Sequence, residues 1–500
     1  MHSSIDDPNE DDSNDVGTDA ASGRDPSATS APGSPEEGGS AGTGGTRRDT
    51  PSEAVPVRLE APGTGFRQTW KAMGPGIAAA MTGIGSSHII HAPTAGAQWG
   101  YTLLWIIPVA YLLKYCAFEF AHRYTVVRGE SIIEAYQRVG RGYGQWPLWY
   151  LLFNSVANTF STAGRALGTA AMIWAAFPFL PLPAWGILVL LACVAILWTG
   201  KYAALETVVK LCIIVFCVAV LVAFVLRMPS PDEYVANLVP ALAPAGALVL
   251  VGAMFGYFPT TVEISPMQSN WAVAKGAGMA RVRALERQGH RVELAPNYLR
   301  NNFKLFKRDM NISYVISGLT GLAFLIVGAV VLHPIGLVPE KSEMGATIAR
   351  MYTDTFGQWV FPVIIAGGVA ALFSTTLTYF DGQPRIFVEC CVRLRTAWDT
   401  PKVRGWLYRG FQIVWIVAGS AIIIGLPEPV LVVQLASVLA LLFSPVIYWL
   451  NIKAVRDNFT SPAEREFLPS RPMMVWAWLG LLGLVVICVW ILSSADLTEI

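Results

Sequence analysis

Beyond residue 60, apolar stretches of about 20 residues recur along the chain, each closed by a short polar segment. That is the length one helix needs to cross a bilayer. The pattern predicts spans near 74–97, 103–124, 146–175, 184–199, 207–226, 247–271, 312–332, 359–388, 406–424, 430–450 and 473–492. An all-α integral membrane protein with 11 transmembrane helices is therefore expected. Residues 1–59 break the pattern. They are rich in Ser, Gly, Asp, Pro and Thr and hold almost no large apolar side chain. Such a stretch cannot offset the entropy of ordering by burial, so a disordered tail is expected there, with the membrane domain over 60–500. The tail lacks an apolar core of its own and does not read as a secretory signal.

Composition strengthens this reading. Hydrophobic residues make up 53% of the 500 positions and charged residues only 14%, where a soluble domain carries roughly a quarter charged. The net charge of +1 hides a split: residues 1–50 hold eleven acids and three arginines, net −8, which leaves +9 for the rest. Lys and Arg gather in alternate loops. They include Arg123, Arg128, Arg138 and Arg141, then a dense run from Lys275 to Arg308, then Arg393 to Arg409 and Lys453 to Arg471. By the positive-inside rule those loops and the N-terminus face the cytoplasm and the C-terminus lies outside, in the cell membrane. The basic run after the sixth span reads as a topology signal near anionic lipid, and no nucleic-acid partner is expected. The seven cysteines form no C-x-x-C pair, so neither a zinc site nor a disulfide framework is indicated.

Two spans are interrupted at their centres. The first reads Met81-Thr82-Gly83-Ile84-Gly85-Ser86-Ser87-His88, and the sixth reads Gly256-Tyr257-Phe258-Pro259-Thr260-Thr261-Val262-Glu263-Ile264-Ser265-Pro266. Glycine and serine weaken a helix, and each proline removes a donor. Irregular backbone at bilayer depth survives only where it lines a cavity or is buried in protein. Matching defects five helices apart mark an inverted repeat with a midplane site, here over about 74–227 and 244–450, with an extra helix at 473–492. The competing reading is a pair of packing kinks.

The chain resembles the Nramp family, proton-coupled importers of divalent metals with the LeuT-type fold. The resemblance is carried by Gly74-Pro75-Gly76, by Gly96-Ala97-Gln98-Trp99-Gly100-Tyr101, by Leu167-Gly168-Thr169-Ala170, by Tyr202-Ala203-Ala204-Leu205-Glu206, and by Ser374-Thr375-Thr376-Leu377-Thr378 with Gly382-Gln383. It implies a 5+5 inverted repeat and alternating-access transport. The site departs from the family pattern. Where the family has Asp-Pro-Gly-Asn in its first helix, this chain has Gly85 at the aspartate and His88 at the asparagine. Phe258 replaces the family's methionine and Thr260 its nearby histidine; Thr162 and Arg165 stand where the third helix carries acids, and Gln434 is retained.

Polar groups at membrane depth are the default site candidates. Substrate contact is expected from Thr82, Gly83, Gly85, Ser86, His88, Tyr257, Thr260, Thr261, Glu263 and Gln434, with His88, Glu263 and Gln434 as metal ligands. Arg165, Asp381 and Asn158 are expected in gating or charge pairing, with Glu263 or Asp381 neutralising Arg165 or the arginine gripping a substrate carboxylate. His88 is open to the plainer role of a satisfied core histidine. No H-E-x-x-H, G-x-S-x-G or P-loop occurs, so neither an enzyme nor an ATP-driven pump is expected, and no cofactor. The expected function is secondary transport of a divalent cation of the manganese, magnesium or iron class into the cytoplasm, with weak or no proton coupling. The alternatives are transport of a small organic solute, such as an amino acid or carboxylate, and a non-transporting receptor on the same scaffold.

Overall fold

The computed structural model describes residues 56–65, 85–200, 202–244 and 246–494. Thr82, Gly83 and the first half of the first predicted span lie outside the described residues.

Single-turn pieces aside, the described helices run in chain order as follows. A π-helical turn, Ser87–His91, leads into α1 (Ala92–Trp99); then come α2 (Ile106–Arg128), α3 (Ile132–Val139), α4 (Trp146–Ala176), α5 (Leu182–Thr199) and α6 (Tyr202–Leu226). The sixth predicted span is divided into α7 (Leu248–Tyr257) and α8 (Ile264–Ala274). After them lie α9 (Met279–Arg287), α10 (Tyr298–Val331), α11 (Met344–Phe356), α12 (Phe361–Leu394), α13 (Pro401–Gly425), α14 (Pro429–Asn458) and α15 (Arg471–Ser494).

Seven of the described helices are long and apolar enough to cross a membrane by length and composition. The 11 expected spans exceed that number for a physical reason. At 23 and 31 residues, α2 and α4 are long enough, but their buried faces hold Lys114, Glu119 and Arg123 on α2 and Asn154, Asn158 and Arg165 on α4. Such helices face protein more than lipid. The break at residues 258–263 leaves the sixth span as two short pieces, of which α7 is apolar.

Packing joins the two halves of the chain. Helix α2 lies on α10 and α4 on α12, which are the second and third long elements of each half. The interrupted elements are gripped by neighbours: α1 by α10, and α7 by α14. Small residues permit this closeness. A Cβ on Gly96 of α1 would collide with the Leu325 carbonyl of α10, and one on Gly256 of α7 with the Ser437 carbonyl of α14. Outward faces of α5, α6, α13 and α15 carry exposed Leu, Val, Ile and Trp, as lipid contact requires.

The tail boundary near Leu59 needs correction. Val57–Leu59 forms a strand, β1, paired in parallel with β2 (Val292–Leu294). Leu59 packs with Val282 and Tyr298, Asn301 donates to the Pro62 carbonyl at 2.9 Å, and Arg308 donates to the Thr64 carbonyl at 2.5 Å. Alternating apolar residues in an otherwise polar stretch supply the burial that orders this segment.

Candidate functional site

The break between α7 and α8 opens on one end of a cavity of about 390 Å³. Its inner wall is Gly85, Ser86 and Ser87 at the start of the π-helical turn, Tyr257 and Thr260 at the break, Arg165 from α4, and Thr375, Thr378 and Tyr379 from α12. From there it follows α8 past Gln268 and Trp271 to Lys275, roughly 16 Å at the rise of an α-helix. Its outer end is flanked by Asn302, Phe306 and Asp309 of α10. Gly85 lies so close to α12 that a Cβ there would meet the Thr375 methyl at 2.7 Å, which accounts for glycine at this position.

Arg165 is 4% exposed and lines this cavity. It stacks on the Tyr379 ring at 3.7 Å and reaches the Tyr257 ring at 4.9 Å. It donates to the Ser161 hydroxyl, which in turn shares a 2.5 Å hydrogen bond with the Tyr257 hydroxyl. The pairing expected with Glu263 or Asp381 does not occur. Glu263 accepts from Asn154 Nδ2 at 2.6 Å, while Asp381 accepts from Arg385 at 2.7 and 2.9 Å and from the Tyr408 hydroxyl at 2.8 Å. No carboxylate among the described residues forms an ion pair with Arg165. Aromatic faces take that place, since a guanidinium stacks on them favourably.

The three expected metal ligands are not brought together, and no cluster of three or more His, Cys, Asp or Glu suited to a metal occurs among the described residues. The His88 ring lies behind the cavity wall. Its Nε2 faces the Ser317 carbonyl at 3.0 Å, so that nitrogen carries the proton, and Nδ1 accepts from the Ser87 hydroxyl at 2.9 Å. Both nitrogens are engaged and the ring stands edge-on to Phe258, so His88 is a satisfied core histidine. Glu263, 3% exposed, lies in a small separate pocket with Asn154, Asn158 and Ser161. Gln434, on α14, does not line the main cavity. Thr261 is turned away, bonded to the Tyr379 hydroxyl at 2.7 Å, and Asn158 back-bonds to Asn154 at 3.1 Å. Of the expected contacts in the described residues, Gly85, Ser86, Tyr257 and Thr260 reach the cavity, joined by Arg165.

A residue absent from the sequence-based candidates closes the break. Lys114, fully buried at the middle of α2, donates to the Gly256 carbonyl at 2.8 Å and the Thr260 carbonyl at 3.2 Å. These are acceptors that the interruption between α7 and α8 takes out of the helical ladder. The signal was present, since Lys114 is a lone lysine inside an otherwise apolar run.

An interrupted helix, α7 and α8, held by uninterrupted ones around a cavity at its break, is the arrangement of a secondary transporter of the membrane. The chain belongs to the Nramp family: the family model "Natural resistance-associated macrophage protein-like" matches residues 76–494. This is a family of transporters, not enzymes. The chain is 29% identical over 438 residues to the Pasteurella multocida protein PM0681, described only as uncharacterized, covering 84% of this chain and 91% of that one. It is 24% identical over 301 residues to the divalent metal cation transporter MntH of Mycobacterium tuberculosis, covering 58% of this chain and 66% of that protein. The crystal structure of the Eremococcus coleocola manganese transporter, in complex with an aromatic bis-isothiourea substituted compound, superposes with a TM-score of 0.61. That match covers 88% of this chain and 89% of that one at 14% identity, a likeness of fold alone.

Proposed function

We propose that this chain is an alternating-access transporter that carries a divalent metal cation into the cytoplasm, with its cavity open to the cytoplasmic side. The observation that supports this reading is the cavity itself. It runs from the break between α7 and α8, where midplane sites of such transporters lie, to the basic stretch that begins at Lys275. The MntH likeness supports the cargo. Among the described residues the inner wall offers the hydroxyls of Ser86, Thr260, Thr375 and Thr378 and no thiol or thioether. Oxygen donors suit a hard or borderline ion, magnesium or manganese, better than a thiophilic one. In this reading the N-terminus is cytoplasmic and the C-terminus extracellular.

Proton coupling is weak or absent in this proposal. The positions where the family resemblance places acids and histidines hold Gly85, Thr162, Arg165 and Thr260, and Glu263 lies off the cavity. An inside-negative potential drives a cation inward by about 2.3 kcal/mol per charge per 100 mV, so no proton is required. The test is Mn²⁺ and Mg²⁺ uptake into proteoliposomes at clamped voltage, with a pH-sensitive dye inside. Saturable uptake without stoichiometric acidification is expected. Absence of uptake for every common divalent ion, in protein that still binds one, would leave a receptor on a transporter scaffold.

A further inference from the structure

A bare divalent cation leaves the inner end of the cavity unexplained. The guanidinium of Arg165 is a permanent positive charge with five N–H donors. The groups it touches are two tyrosine rings and the Ser161 hydroxyl, all neutral. Glu263 acts on it electrostatically but forms no ion pair with it, its carboxylate accepting from Asn154 in the adjoining pocket. Asp309, the carboxylate on the cavity lining, lies at the far end among Lys275 and Asn302. A second, independent observation lies on the same inner wall: Ser86 is 2% exposed and its hydroxyl has no hydrogen-bond partner among the described residues. A buried hydroxyl without a partner costs about 1–3 kcal/mol, the kind of deficit a ligand repays.

We propose that the inner end of the cavity binds a small carboxylate, gripped by the planar fork of Arg165 and by the Ser86 hydroxyl. This rests on the transport reading and deepens it. The carboxylate is either the cargo itself or the chelating partner of the divalent cation, in which case its charge offsets the repulsion between metal and arginine. Both sources present the same group to the same residues, since Arg recognises a carboxylate bidentately.

The test uses the purified full-length protein and three additions: Mn²⁺ alone, citrate or succinate alone, and Mn²⁺ with citrate. Thermal stabilisation and uptake into liposomes are read for wild type, Arg165→Lys, Arg165→Gln and Ser86→Ala. Stabilisation and uptake of citrate or succinate alone identify a free carboxylate as cargo and count against the cation reading. A response that needs Mn²⁺ and citrate together identifies the chelate. In either case the concentration needed rises at least tenfold in Arg165→Gln and severalfold in Ser86→Ala, with Arg165→Lys between. Ser86→Ala keeps the test decisive if the arginine variants fail to fold. Response to Mn²⁺ alone, indifferent to citrate and unchanged in Ser86→Ala, overturns the inference and leaves cation transport standing. Folded wild type that answers to no carboxylate, with or without metal, overturns it equally.

Discussion

Replacing Glu130 by glutamine removes one negative charge from a buried cluster and changes almost nothing in volume. Glu130 is 3% exposed, at the turn after α2. Its carboxylate meets Arg138 of α3 at 2.5 Å, Arg283 of α9 at 2.5 Å and Arg128 at 3.2 Å, and accepts from the Tyr124 hydroxyl at 2.8 Å. Arg128 continues the chain of charges to Glu464, beyond α14, at 2.6 Å. One acid therefore ties four segments of the chain. Removing one partner of a buried ion cluster costs about 3–5 kcal/mol because the other charges stay behind. The arginine side chains here keep 18–33% exposure, so the lower end, about 3 kcal/mol, applies. At about 2.1 cal/mol/K of unfolding entropy per residue, a chain of this size loses on the order of 3 °C in Tm, read by intrinsic fluorescence in detergent at pH 7. The pH dependence supplies a second check. Burial alone would raise the Glu130 carboxyl, but the Arg138 and Tyr124 hydrogen bonds and the Arg283 charge outweigh it and lower it from 4.5 to about 2. A depressed carboxyl stabilises fully above its unfolded value, and that stability is lost as pH falls from about 4.5 through 2. The gap between wild type and Glu130→Gln should thus stay constant from pH 8 to 5 and close below 4.5. A variant as stable as wild type at pH 7, or a gap that varies between pH 8 and 5, would refute the reasoning.

Gly256→Ala should prevent α7 from seating on α14, because the added methyl collides with the Ser437 carbonyl; overpacking costs about 1–3 kcal/mol or more, visible as aggregation on size-exclusion chromatography. Lys114→Met should leave the Gly256 and Thr260 carbonyls without their donor, at about 1–3 kcal/mol for each one that water does not reach; unchanged Tm would count against this. His88→Ala should lower stability by about 2–3 kcal/mol through the lost Ser317 bond and the space left beside Phe258. Mn²⁺ binding measured by calorimetry should be unaffected, and a lost affinity would restore His88 as a ligand.

Much of the architecture was legible in the sequence because lipid imposes a simple rule: long apolar runs become helices. The break at 258–263 was legible too, since Pro259 and Pro266 cannot both sit in an unbroken ladder. The partners of the polar groups were not. Nothing in the one-dimensional order says that His88 meets Ser317 or that Glu263 turns to Asn154, contacts across 229 and 109 positions. Arg165 stands out in the sequence as a charge at membrane depth, but its neighbours are tyrosines, a pairing that charge matching along a sequence does not anticipate. Lys114 is visible as a lone lysine in an apolar run, but nothing in the sequence says that it meets the carbonyls of Gly256 and Thr260. The ordered stretch at Val57–Leu59 escaped notice because two apolar residues in a polar tail carry little periodic signal.

Lys114 also bears on the bookkeeping of the transport cycle. Backbone oxygens freed at a broken membrane helix are the acceptors a dissolved ion could otherwise claim. Here the claimant is an amine on a four-carbon tether, which cannot leave with the cargo or be replaced from either compartment. The donor for these oxygens is thus written into the polypeptide and does not depend on the salt on either side. A carrier built this way can reset its broken helix without waiting for a passenger ion. Its turnover with cargo bound should therefore be insensitive to the sodium or potassium present in the bath.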